Sequence, residues 1–409
     1  MIERIGKYYD VISGYAFKSV DLKEQADIPI IKIGNISNGH SILLDNLQYV
    51  DASLLKINEK YHVKKGDVLL SLTGSHINQP NSMVGRTCRN YENEIFLLNQ
   101  RAGKVIPKKD SSLDYIFYVL TTKAMKESIV CRAYGAANQV NVSPTAIMGI
   151  KWDFHSLPIQ KKIASILSAY DSLIENNTKR IKLLEQMAKN LYKEWFVRFR
   201  FPGHENVKME TGLPKGWKIS ILKDFGTIET GKTPSMENPE YYGGDYLFIK
   251  TPDMRDSMFV FNTTETLSQA GNDCQKKKLL PINSIMVSCI GSGGVVAINA
   301  KQGHTNQQIN SIILHNQKYL EWLYFTCKSL KATIELYGAT GATMTNLSKC
   351  KFEKLKVLEP TNDIVIRFNT IVNPLFQQIK NLSIQNQLLT HQRDLLLPRL
   401  MSGKLEVKP

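Results

Sequence analysis

The stretch Ile163-Ala164-Ser165-Ile166-Leu167-Ser168-Ala169-Tyr170-Asp171-Ser172-Leu173 lies within residues 159–201, which contain neither glycine nor proline. Apolar residues fall at Ile159, Ile163, Ile166, Tyr170 and Leu173, then at Ile181, Leu184, Ala188, Leu191 and Trp195. The steps alternate four and three, and Asn177 interrupts the seam. This is the stripe of a helix that pairs with another along its length. A second stripe runs through Ile364, Phe368, Ile371, Leu375, Ile379, Leu382, Asn386, Leu389 and Leu396. An isolated helix this long exposes its stripe, so the two are expected to pack on each other. An antiparallel pair lets a second domain emerge at the far end from the first. At about 1.5 Å per residue, roughly 40 residues make a spacer about 60 Å long. Pro374 predicts a kink or break near Asn373.

Around these helices the chain repeats itself. Tyr134-Gly135-Ala136-Ala137 returns as Tyr337-Gly338-Ala339-Thr340, and Leu98-Asn99-Gln100-Arg101 as Thr305-Asn306-Gln307-Gln308. Ile30-Ile31-Lys32 parallels Phe248-Ile249-Lys250, and the run from Val63 to Ser71 parallels that from Leu279 to Ser288. Matches in shared order, about 200 residues apart, mean duplicated domains rather than a solenoid. Short strand-like runs (Ile28 to Ile33, Val68 to Leu72, Ile95 to Leu98, Ile285 to Ile290) alternate with Gly, Asn, Ser and Asp clusters. Short helices are expected over Asp114–Met125 and Leu320–Leu330. The expected fold is α+β: two mixed domains, 1–156 and 202–357, joined by long helices at 157–201 and 358–409 packed as an antiparallel coiled coil. The expected seam is Ile163, Tyr170, Leu173, Asn177, Leu184, Leu191 and Trp195 against Phe368, Leu375, Leu382, Asn386 and Leu389.

Lys and Arg total 52 against 37 Asp and Glu, a formal charge of +15. So basic a chain attracts polyanions, nucleic acid first among them. No run of eighteen or more apolar residues suggests a membrane span, and the opening residues lack a secretory core. Six scattered cysteines read as reduced thiols of a cytoplasmic protein, none a metal ligand. The eight histidines form no H-x-x-x-H pair, and no cofactor is expected.

Two motifs invite an enzymatic reading. Gly226-Thr227-Ile228-Glu229-Thr230-Gly231-Lys232-Thr233 has the Walker A spelling. Such a loop needs a helix starting at its lysine, and Pro234, Pro239, Gly243 and Gly244 forbid one. Asn238-Pro239-Glu240-Tyr241 approaches the N-P-P-Y loop of amino-methyltransferases, but the third residue is wrong and no glycine-rich cofactor loop precedes it. Gly291-Ser292-Gly293-Gly294 leads into a strand-like run, Val295 to Ile298, not a helix.

The helix segment from Ile163 to Asn177, with Leu184-Glu185-Gln186-Met187-Ala188-Lys189 and Trp195-Phe196-Val197, resembles the central helix of type I restriction–modification specificity subunits. Leu213-Pro214-Lys215-Gly216-Trp217, Gly231-Lys232-Thr233-Pro234-Ser235 and Asn238 to Gly244 look like the opening of that family's second target recognition domain. Leu395-Leu396-Leu397-Pro398-Arg399-Leu400-Met401-Ser402-Gly403 is similar to its closing segment. The resemblance implies a non-catalytic subunit. Each recognition domain would bind half of a gapped double-stranded DNA target, with the helices fixing the gap. It further implies two modification subunits that methylate adenine and, often, two restriction subunits that translocate and cut. A coiled-coil adaptor that does not read DNA is the alternative.

Reading bases needs Arg or Lys for guanine and Asn or Gln for adenine. Candidates in the first domain are Asn35, Asn38, Ser75, His76, Asn78, Gln79, Asn99, Gln100, Arg101, Arg132, Asn138 and Gln139. In the second they are Lys250, Arg255, Lys301, Gln302, Asn306, Gln307, Gln308 and Thr343. The paired Asn-Gln positions are either readers or turn scaffolding common to both domains.

Overall fold

The computed structural model describes residues 2–39, 41–75, 84–136, 139–255, 257–339 and 345–408. The chain forms two compact units. Unit 1 takes the residues up to Ile174 and those from Leu388 onward; unit 2 takes Glu175–Gln387.

Unit 1 is built on an antiparallel sheet in the order Tyr9–Ser13, Ala102–Pro107, Val68–Ser71, Thr87–Arg89. Unit 2 repeats it as Gly226–Thr230, Ile309–Leu314, Ile285–Ser288, Val296–Asn299, with Phe259–Val260 added in parallel at the edge. The central strands Val68–Ser71 and Ile285–Ser288 are buried on both faces, which their continuous apolar character requires. A second sheet accompanies each. In unit 1, Ile28–Ile31 runs parallel to Phe96–Leu98; in unit 2, Tyr242–Ile249 runs parallel to Gly303–Thr305. The parallel register pairs Ile31 with Leu98 and Ile249 with Thr305, the residues matched in sequence.

Helices close the other face. Leu320–Ser329 follows its sheet in unit 2 as expected. In unit 1 the single helix expected over Asp114–Met125 is two, Leu113–Thr121 and Lys123–Val130. Thr122 is extended, and its hydroxyl accepts the Met125 amide, capping the second helix while ending the first. Ser143 and Ser348 cap matching short helices, Pro144–Met148 and Lys349–Glu353. One sequence match has no structural counterpart. Tyr134 and Gly135 lie in a strand, whereas Tyr337 and Gly338 end a helix.

The long helices are Leu157–Tyr192, followed by a π-helical turn at Lys193–Val197, and Asn362–Met401. The second continues without a break at Pro374. Phe368, Val372, Phe376 and Ile379 bury that part of it in the core of unit 2, and Asn373 donates to Glu321 Oε1 at 2.6 Å. Packing on both sides of the proline outweighs one lost backbone bond.

Each unit holds part of both helices. In unit 1, Ile163, Leu167, Leu400 and Met401 join the core around Tyr115 and Phe154. Arg393 Nη1 meets Asp171 Oδ1 at 2.7 Å, and Tyr118 donates to the same carboxylate. In unit 2, Phe196 packs on Phe368 (4.9 Å between ring centres), and Trp195 and Tyr192 join them. Asn177 Nδ2 donates to Gln385 Oε1 at 3.0 Å, and Asn386 Nδ2 to Thr178 Oγ1 at 3.3 Å.

Of the residues expected in the seam, Ile163, Asn177, Trp195, Phe368 and Leu382 are buried. Tyr170, Leu184, Leu191, Leu375, Asn386 and Leu389 are half-buried. Leu173 is a correction: it is 49% exposed, and Asp171 is buried instead. Ile371 is exposed too, its place taken by Val372. The buried stripe is rotated because the globular cores, and not the facing helix alone, cover it.

Candidate nucleic-acid interface

In both units a glycine is pressed against a turn. A Cβ on Gly14 would lie 2.3 Å from the Leu98 carbonyl oxygen and 2.4 Å from that of Asn99. On Gly231 it would lie 2.1 Å from the Thr305 oxygen and 2.3 Å from that of Asn306. The backbone bonds correspond one for one. Tyr15 N donates to Leu98 O (2.7 Å), as Lys232 N does to Thr305 O (2.9 Å). Asn99 N donates to Ile31 O and Asn306 N to Ile249 O, at 3.0 and 3.2 Å. Asn99 Oδ1 accepts the Arg101 amide, and Asn306 Oδ1 the Gln308 amide. The two asparagines thus make the same bonds in the turns of both units.

This packing accounts for the Walker-like spelling. Gly226–Thr230 is a strand, no helix begins at Lys232, and Gly231 faces carbonyl oxygens where a phosphate loop would offer amides. Asn238 to Tyr241 is a short turn that hands the Tyr241 carbonyl to Ser268 N. Among the described residues, no group of three His, Cys, Asp or Glu side chains could hold a metal.

What the turns present differs between the units. Unit 1 offers exposed Gln100 and Arg101, and Leu72 N donates to Arg101 O, so they lie beside the strand Thr73–Gly74 and half-buried Ser75. Unit 2 offers exposed Gln307 and half-buried Gln308, with Ile290 N donating to Gln308 O. Arg255 Nη2 donates to Ser292 Oγ at 3.2 Å. Thr233 Oγ1 donates to Gln307 Oε1 at 2.7 Å, and Asn306 Nδ2 to Gln308 Oε1 at 3.3 Å. Thr233 and Ser292 were missed by sequence reasoning. The signal for Thr233 was its place two residues beyond Gly231, whose partner in the repeat is Gly14.

Other candidates stand elsewhere. Asn35 is buried: its Oδ1 accepts Lys32 N, and its Nδ2 donates to the Leu43 and Asp45 carbonyls. It cannot reach a base. Lys250 pairs with Glu265 at 2.5 Å and lies over the Phe248 ring. Lys301 and Gln302 are exposed at the opposite end of the strand Gly303–Thr305 from Gln307. Arg132 donates to Ser128 O, ending a helix, and Gln139 is exposed in the strand Gln139–Asn141. Asn38 accepts from Lys126 and lines a polar cavity of about 350 Å³ with Tyr118 and Arg393. His76, Asn78, Gln79, Asn138 and Thr343 lie outside the described residues.

Burial lowers His304 to about 4 and raises the Cys88 and Cys289 thiols to about 12 and about 11. Among the described residues no helix is long and apolar enough to cross a membrane.

Two units on one scaffold, each with a turn held by the same bonds, define a protein of duplicated domains. The chain belongs to the family of type I restriction modification DNA specificity domains, whose model matches residues 3–186 and again 214–390. It is 30% identical to the HindI type I specificity subunit of Haemophilus influenzae, covering 96% of this chain and 98% of that one. It is 25% identical to the MjaIX specificity subunit of Methanocaldococcus jannaschii, over 100% and 96% of the two chains. In fold it is similar to the crystallised type I S subunit of M. genitalium, with a TM-score of 0.59, 15% identity and coverage of 98% and 95%. It is thus a specificity subunit of a type I restriction–modification system.

Proposed function

We propose that each unit reads one half of a gapped double-stranded DNA target, and that the chain carries no catalysis of its own. It recruits two modification subunits that methylate adenine and, where present, two restriction subunits, all in the cytoplasm. The paired helices act as an antiparallel coiled coil that sets the gap. The observation that carries this reading is the duplicated turn: one scaffold, held by the same bonds, with Gln100 and Arg101 on one copy and Gln307 and Gln308 on the other. Two sites with different side chains suit a target of two unlike halves. The formal charge of +15 supports phosphate contacts that fix register while the turns read bases.

Methylome sequencing of cells expressing the chain with its modification subunit tests the proposal. It should return one two-part motif with a fixed gap. Purified chain should bind duplex weakly, with affinity falling steeply as salt rises. A methylome without a two-part motif, or salt-independent binding, refutes the reading.

A further inference from the structure

The comparison between the two turns separates what holds the fold from what faces outward. Gly14 and Gly231, and Asn99 and Asn306, are identical and occupied by the scaffold. Gln100 and Gln307 are also identical, yet their settings differ. In unit 2 the residue two beyond the glycine is Thr233, and its hydroxyl holds Gln307 Oε1 at 2.7 Å. In unit 1 the corresponding residue is Ala16, which has no hydroxyl to give. Gln307 is exposed, and among the described residues its Nε2 has no protein partner.

We infer that Gln307 is a specificity-determining residue of unit 2, that Thr233 is its positioning residue, and that together they read a guanine in that unit's half-site. This rests on the DNA-reading function proposed above. A glutamine that reads adenine turns both its oxygen and its nitrogen to the base, accepting from N6 and donating to N7. Here the oxygen is turned back to Thr233, so the amide nitrogen leads, with two N–H donors. The major-groove edge that offers two adjacent acceptors is that of guanine, N7 and O6. The threonine also fixes a side chain that otherwise rotates freely, which removes part of the ordering cost of binding.

The test is the methylation motif of the complete complex with its modification subunit, read by sequencing a library of randomised targets. Gln307→Ala should relax one guanine of one half-site, reducing discrimination there about 5- to 150-fold, while the other half-site is unchanged. Gln307→Glu, which removes the donors, should disfavour guanine at that position. Thr233→Val should relax the same base pair to a smaller extent, and Thr233→Ser should restore it. An unchanged motif for Gln307→Ala overturns the inference and leaves the DNA-reading function standing. Equal motifs for Thr233→Val and wild type overturn the positioning role. A wild-type complex without a two-part motif overturns the underlying function as well.

Discussion

Arg393→Met should destabilise unit 1 far more than a surface change, and a compensating substitution should restore it. Arg393 and Asp171 are each about nine-tenths buried, and Tyr118 donates to the same carboxylate. Removing the guanidinium strands a buried anion with one hydroxyl for company, at a cost of about 3–5 kcal/mol. Asp171→Leu should cost less, because Arg393 keeps Asp394 at 2.8 Å. Its main penalty is the orphaned Tyr118 hydroxyl, about 1–3 kcal/mol. The double variant leaves no stranded charge, so its cost should fall to that of the hydroxyl alone. Adding Tyr118→Phe should bring stability back near wild type. Hydrogen exchange in the helix Leu113–Thr121, which carries Tyr118, reads the effect on unit 1 directly. Urea unfolding should show a midpoint lowered by about 1–2 M for Arg393→Met alone. Single variants within about 0.5 kcal/mol of wild type would refute the reasoning, since surface substitutions cost no more. So would a double variant as unstable as the sum of the singles.

Gly231→Ala should cost about 3 kcal/mol, measured by thermal unfolding, because the new methyl meets two carbonyl oxygens at 2.1 and 2.3 Å. A stability equal to wild type would mean that the turn yields freely. His304 is fully buried, and burial lowers it to about 4 from an ordinary value near 6.5. The unfolded chain therefore binds a proton first as pH falls. The stability contributed is complete above about pH 6.5 and is lost as pH drops toward 4, by about 2–3 kcal/mol. Denaturation at stepped pH should show that loss, and His304→Gln should abolish it. Deleting seven residues from each long helix shortens the proposed spacer by about 10 Å. The methylation motif should then lose about three base pairs of gap, and an unchanged gap would remove the ruler from the account.

Much of the fold can be read from the residues, because period and order survive in them. The stripe beginning at Ile163 marked a long helix, and the Asn99 and Asn306 matches marked equivalent turns with identical bonds. The buried face of each helix was harder to place. Leu173 and Ile371 fit a two-helix seam, but Asp171 and Val372 are what the cores cover. Only tertiary packing decides between positions one or two residues apart. The reading surface was the least legible part. Asn35 and Thr233 are both small polar residues in loops, yet one is walled in by backbone amides and carbonyls and the other aims a neighbour's amide. Composition cannot distinguish these uses, because a loop asparagine bonds its own backbone as readily as a partner. The Tyr134 and Tyr337 match was similarly deceptive, placing a strand against a helix end.

Unit 1 is not contiguous in the chain, and synthesis makes that consequential. Every residue of unit 2 leaves the ribosome before Leu388, the first of the late residues that unit 1 requires. Unit 1 is therefore begun before unit 2 and completed after it, and its strands must wait, partly uncovered, while the other unit closes. A stop codon between those of Leu388 and Leu400 would remove Leu400 and Met401 and so open the core that Ile5 and Tyr9 help to build. Damage after unit 2 would surface in the unit that precedes it, with unit 2 still whole.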